Sequence, residues 1–172
     1  RKMTRQEIEA ALDGIRSRVP DAVIRTQFIV GFPGETEEDF QELLAFIKVQ
    51  EFDRIGCFKY SPEEGTPGGK MTDQIDDETK DRRWNAIMAL AQKISRKKQK
   101  KMIGQVREVL VEGLSEETEL LLKGRTSQQA PDIDGLVYIN DGQAKIGDFV
   151  KVRFTESMDY DLVGAIETEE VL

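Results

Sequence analysis

The apolar positions of this chain fall into two regimes, helical in its first part and alternating in its last. Thr4-Arg5-Gln6-Glu7 has the capping-box pattern, and Ile8, Ala11, Leu12 and Ile15 follow at helical spacing. The spacing predicts a helix over 5–18, stopped by Pro20. Residues 22–30, rich in β-branched and aromatic side chains and bounded by Pro20-Asp21 and Gly31, read as a largely buried strand. After the loop Gly31-Phe32-Pro33-Gly34, Thr36 caps a second helix with an acidic first turn, whose buried stripe is Phe40, Leu43, Leu44 and Ile47. A second strand at 54–60 completes the order helix, strand, helix, strand, which predicts two parallel neighbours joined right-handedly. The breaker-rich run 61–69 then lies at the C-terminal end of a strand, where parallel sheets and barrels keep their sites. A long helix over 77–101 presents Trp84, Ile87, Met88, Ala91 and Ile94 on one face and ends in Arg96-Lys97-Lys98-Gln99-Lys100-Lys101. That run either complements the negative helix end while staying solvated, or meets phosphate or an acidic partner.

Beyond Gly104 the period becomes two. Strands are predicted at 106–112, 118–123, 135–139, 149–155 and 162–167, separated by turn signals such as Asp134-Gly135 and Asn140-Asp141-Gly142. Five short antiparallel strands fit a closed or nearly closed barrel of the OB kind, because closure removes exposed edges. The expected fold class is therefore α/β over 1–102, followed by an all-β OB-like barrel over 103–172. Two strands cannot close a barrel or bury both faces of a parallel sheet, so 1–102 is expected to be the second half of a larger α/β domain. A chain that opens at a helix cap without an initiator Met is expected to be a fragment.

Composition narrows the chemistry. With no histidine and one cysteine, Cys57, the 172 residues cannot build a Ser-His-Asp site, a His-ligated zinc or a multi-cysteine metal centre by themselves. Cys57 lies in a strand interior and reads as a small buried hydrophobe. No apolar run approaches the length of a membrane span, and no secretion signal opens the chain, so a cytoplasmic setting without membrane is expected. The net charge of −8 is uneven: 103–172 carries 6 Lys+Arg against 15 Asp+Glu, whereas 1–102 is nearly balanced. An acidic barrel repels phosphate backbones and favours a basic protein surface, which makes RNA contact secondary.

Three segments carry a family resemblance: Ile24-Arg25-Thr26-Gln27-Phe28-Ile29-Val30-Gly31-Phe32-Pro33-Gly34-Glu35-Thr36, Phe58-Lys59-Tyr60-Ser61-Pro62-Glu63-Glu64-Gly65-Thr66-Pro67, and the barrel, which looks like a TRAM domain. Together they resemble the methylthiotransferase branch of the radical S-adenosylmethionine enzymes. Glu63-Glu64-Gly65-Thr66-Pro67, Gly124-Arg125-Thr126 and Ala130-Pro131-Asp132-Ile133-Asp134-Gly135 are similar to its RimO-type members. The resemblance implies methylthiolation of the β-carbon of an aspartate in small-subunit ribosomal protein S-twelve, with 1–102 as the C-terminal part of a radical-SAM (β/α) barrel and 103–172 as the TRAM domain. It also implies S-adenosylmethionine and two 4Fe-4S clusters as cofactors. The family binds one cluster through a Cys-x3-Cys-x2-Cys motif early in the barrel and the other through three cysteines of a still earlier domain. None of these is present here, so the chain alone is expected to be inactive, with no catalytic or metal-ligating residue of its own and the first motif upstream. The alternatives are a tRNA methylthiotransferase of the MiaB type and a non-catalytic TRAM binding module.

The resemblance maps cofactor contacts onto Arg25, Ile29, Gly31, Tyr60 and Ser61, which are expected to line one concave surface at the C-terminal ends of adjacent strands. Each position has a second reading. Gly31 and Gly34 either open the backbone to a ligand or form a tight turn feeding the Thr36 cap. Ile29 either packs near adenine or belongs to the core. Arg25, a charge within an apolar strand, either holds the methionine carboxylate or pairs with a structural carboxylate of the missing half. Arg125, Asp132 and Asp134 are the expected docking residues for the basic protein substrate, with solvated turn chemistry as the alternative for the two carboxylates.

Overall fold

The computed structural model describes residues 3–116, 118 and 120–167. Helix α1 (Arg5–Arg18) begins at the expected capping box, with the Thr4 amide donating to Glu7 Oε2 at 2.7 Å. Strand β1 (Arg25–Val30) starts later than the apolar pattern predicts. Before it, Ile24 donates its amide to Asp53 Oδ2 at 2.9 Å and its carbonyl accepts from Asp53, so these groups serve a loop contact instead of a ladder. Helix α2 (Glu37–Gln50) is capped by Thr36 with Asp39 reaching back. Strand β2 (Arg54–Lys59) pairs in parallel with β1, and helix α3 (Asp77–Lys100) packs across β2.

The register of the two strands decides which side chains share a face. Arg25, Gln27 and Ile29 stand opposite Arg54, Gly56 and Phe58 on one side. The alternate set joins the core formed by Val30, Phe40, Ile47, Cys57, Ile87 and Ile94 beneath α2 and α3. The C-terminal end of the first side has no layer over it among the described residues, with Ile29 59% and Phe58 54% exposed, whereas Ile133, Asp134 and Tyr160 stand against its start.

The second part is a closed five-stranded barrel in the order β3 (Val106–Leu114), β4 (Leu122–Arg125), β5 (Val137–Asp141), β7 (Leu162–Ile166), β6 (Phe149–Ser157). Its interior is filled by Val109, Val111, Val137, Ile139, Val152, Phe154 and Leu162. Two expectations are corrected. The β5–β7 pair is parallel, because strand order 1-2-3-5-4 places the third beside the fifth when the barrel closes. The strand expected at 118–123 runs instead from Leu122 to Arg125. Leu121 donates to the Thr118 carbonyl and accepts from the Ser115 amide, beside the start of the β3–β4 ladder; Glu119, within the expected strand, lies outside the described residues.

Candidate functional site

The strand ends that the sequence marks as a ligand cradle are closed by the chain itself. Gly31 adopts φ +76° and donates its amide to both carboxylate oxygens of Glu35, at 3.1 and 3.2 Å. Glu35 is held by the buried Arg83, whose Nη1 donates to Oε1 at 2.6 Å. A Cβ on Gly31 would stand 2.3 Å from the Lys80 side chain, so close packing and the positive φ both account for the glycine. Gly34 donates to the Asp73 carbonyl at 3.0 Å. Of the two readings of this loop, the geometry is that of a tight turn feeding the Thr36 cap.

Next to it, the Tyr60 amide donates to the Val30 carbonyl at 2.8 Å, and its ring meets Phe32 edge-on with centroids 5.0 Å apart. Ile29, Phe58 and Tyr60 fall on the same side of the sheet by strand alternation, and Ser61 is exposed at their end. These residues form an apolar shelf at the C-terminal strand ends.

Arg25 does not belong to that shelf. It is four residues before Ile29 at the opposite end of β1, about 13 Å away at strand rise. Its Nη2 is 2.5 Å from Asp134 Oδ2, and Arg54 Nε, from the paired position on β2, is 3.3 Å from Oδ1. A structural carboxylate is thus the partner of Arg25, but the barrel supplies it. The single concave surface expected to hold Arg25 with Ile29, Gly31 and Tyr60 is not formed.

The same contact relocates Asp134. Its side chain is only 4% exposed, and besides the two arginines its Oδ2 accepts from the Ala130 amide at 2.7 Å. The preceding loop is braced internally: Gln129 Oε1 accepts from the Thr126 amide at 2.8 Å, and Gln129 Nε2 donates to the Gly135 carbonyl. Arg125 is tied to Glu112 at 2.7 Å. Asp134 is therefore unavailable to a docking partner, because the loop spends it on the arginines at the start of the two strands. Asp132, at the exposed tip with φ +60°, remains open to solvent beside the exposed Ile133.

Burial pushes the Asp134 carboxyl upward, but the Ala130 amide and the charges of Arg25 and Arg54 outweigh it and hold the group below its ordinary 3.8. A value lower in the folded than in the unfolded state adds stability that is fully present above the unfolded value and disappears as pH falls through the folded one. Acid titration of the chain should accordingly show the junction intact at pH 5 and loosening below about pH 4. Asp134→Asn should remove that part of the acid transition.

A second seam, not anticipated from the sequence, joins α3 to the barrel. Asp159 accepts from Arg96 Nε at 2.5 Å and Gln92 Nε2 at 2.6 Å, its carbonyl accepts from Ser95 Oγ at 2.5 Å, and Gln99 Nε2 donates to the Tyr160 carbonyl at 2.5 Å. The legible signal was Gln92, Ser95 and Gln99, polar residues at helical spacing beside the apolar stripe. Between the two seams lies a cleft of about 490 Å³ lined by Arg25, Gln27, Arg54, Phe58, Ile133 and Tyr160, among others.

Cys57 is buried, and burial, aided by the Glu35 charge, pushes its thiol up to about 11, the opposite of what a metal-binding thiolate requires. Among the described residues there is no group of three His, Cys, Asp or Glu that could hold a metal ion, and no helix long and apolar enough to cross a membrane.

Comparison with known proteins completes this geometry. The TRAM domain family matches residues 103–166, nearly all of the barrel part. The chain is 63% identical over 169 residues to the ribosomal protein uS12 methylthiotransferase RimO of Bdellovibrio bacteriovorus, covering 98% of this chain and 37% of that protein. It is 51% identical over 166 residues to the RimO of Geobacter sulfurreducens, with 96% and 37% covered, and 56% identical over 152 residues to that of an Anaeromyxobacter species, with 88% and 32% covered. The chain thus spans about a third of the length of the curated relatives it matches. Along nearly its entire length it matches a C-terminal fragment of the RimO methylthiotransferases, TRAM domain included.

Proposed function

We propose that this chain is the C-terminal part of a ribosomal protein S-twelve methylthiotransferase, in which 1–102 is the last portion of a radical-SAM (β/α) barrel and 103–172 a TRAM domain that docks the protein substrate. The observation that carries the reading is the 63% identity to a RimO protein over almost the whole chain. The uncovered C-terminal end of that side of β1 and β2, with Ile29 and Phe58 exposed, supports a barrel whose remaining strands lie elsewhere in a longer, cytoplasmic protein.

The residues present fit the nucleoside end of S-adenosylmethionine better than its amino-acid end. Ile29, Phe58 and Tyr60 offer an apolar shelf with the exposed, polar Ser61 beside it, suited to a base. Arg25 is committed to Asp134, and Gly31 to Glu35. No cluster ligand fits in this chain, since its one thiol is buried, so both 4Fe-4S clusters of the family would be held by cysteines outside it. When bound, the cofactor supplies radical chemistry; these residues give it an apolar wall and exclude water from it.

The test uses the full protein. Ile29→Asp should weaken S-adenosylmethionine binding by tenfold or more in equilibrium dialysis, with little change in melting temperature because Ile29 contributes little to the core. Unchanged binding would remove the shelf from the cofactor site. Mass spectrometry should find the methylthio group on an aspartate of ribosomal protein S-twelve; modification of tRNA instead would replace the substrate assignment.

A further inference from the structure

We infer that the outer face of α3 is a docking strip for the phosphodiester backbone of structured RNA, separate from the TRAM barrel. Lys93, Arg96, Lys97, Lys100 and Lys101 follow one another at i, i+3, i+4, i+7 and i+8, which puts all five on one helical face. They line a single shallow crevice of about 480 Å³, and Lys93 also borders the neighbouring crevice toward Lys48 of α2. Lys98, one step off the stripe, turns inward to Asp53. Among the described residues Lys48, Lys93 and Lys100 have no carboxylate partner, and Lys101 forms no direct ion pair but lies within electrostatic reach of Glu51, which Lys97 contacts. Arg96 and Lys97 do have one, yet they remain 66% and 54% exposed while Asp159 and Glu51 are 28% and 36% exposed, so the cations face outward.

Complementing the helix end accounts for charge only in the last turn. It does not account for Lys93, two turns from the end, or for the alignment. The stripe runs about 12 Å along the axis, long enough for its cations to reach successive phosphates of one strand. Its crevice is lined by Lys and Arg alone, without the aromatic or aliphatic anchor that a protein interface centres on. The face of α3 carrying Ile87, Ala91 and Ile94 is buried, and the apolar side chains nearest the stripe, Leu44 and Leu90, lie in the crevice beyond Lys93 and not within the stripe itself. A polyanion read through its phosphates is the chemistry that remains. The choice of RNA rests on the proposed function, whose substrate is a ribosomal protein; the stripe itself does not.

The experiment compares the full protein with its Lys93→Gln/Lys100→Gln/Lys101→Gln variant for binding to small-subunit ribosomal RNA and to isolated ribosomal protein S-twelve across a salt series. All three side chains are exposed and none is in a direct ion pair, so the variant should fold normally. The expected result is RNA affinity about tenfold lower at low salt, with the slope of log affinity against log salt reduced by about 2, and unchanged binding to S-twelve. Equal RNA affinity and slope for both proteins, no RNA binding by the unaltered protein, or a loss confined to S-twelve would each overturn the inference. Failure to methylthiolate isolated S-twelve while the RNA effect persists would count against the proposed function and not against the strip.

Discussion

Replacing Asp134 with Ala should detach the barrel from the α/β part. The carboxylate is 4% exposed and, among the described residues, is the only anion within ion-pair distance of Arg25 and Arg54, so its removal leaves two guanidiniums at the strand starts without their counter-charge and the Ala130 amide without its acceptor. Breaking a buried ion pair from one side costs about 3–5 kcal/mol. Because Arg25 keeps 40% of its side chain in water and can resolvate, the lower end, about 3 kcal/mol, is expected. Trp84, the one tryptophan, donates its indole N–H to the Cys57 carbonyl at 2.8 Å and reports on the α/β core, while Tyr138 and Tyr160 report on the barrel side. Urea unfolding of this chain should show the two signals separating in Asp134→Ala. Coincident transitions at the original midpoint would mean that the Asp159 seam alone holds the junction.

Gly124→Val should prevent the barrel from closing. A Cβ at this position would lie 2.3 Å from the Leu110 carbonyl oxygen and 2.8 Å from Val109 Cγ1, and the nearer obstacle is backbone of the paired strand, which cannot rotate aside. Overpacking a core usually costs about 1–3 kcal/mol; here β3 and β4 must part within a closed sheet, so the cost should reach or exceed the top of that range. Circular dichroism and thermal melting should show loss of the barrel's cooperative transition. A melting temperature within a few degrees of the original would mean that the strands can separate locally at little cost. The glycine of Gly124-Arg125-Thr126 is thereby explained by strand approach.

Both variants act within motifs that carry the family resemblance, and Gly124 and Asp134 each have a structural part for reasons that lie in the fold. The internally bonded loop from Thr126 to Gly135 delivers Asp134 to Arg25, so the first and last of these segments meet at one ion pair 109 residues apart in sequence. Seen singly, Arg25 was a charge seeking an anion and Asp134 a carboxylate in a loop. Nothing in their spacing announced the meeting.

What the sequence determined by itself was local. The Thr4 capping box, the Thr36 cap, the stripe Phe40, Leu43, Leu44 and Ile47, and the change from helical to alternating period near Gly104 are interactions within a few residues, and they settle element type and order. Tertiary structure decided everything that depends on which distant groups become neighbours. It paired β5 with β7 in parallel, filled the space beside Gly31 with Lys80, gave Arg25 to Asp134, and left Ile29 and Phe58 facing outward. The physical reason is that periodicity specifies which face of an element is apolar, whereas the partner of a charge or the cover of a face is set by chain closure in three dimensions.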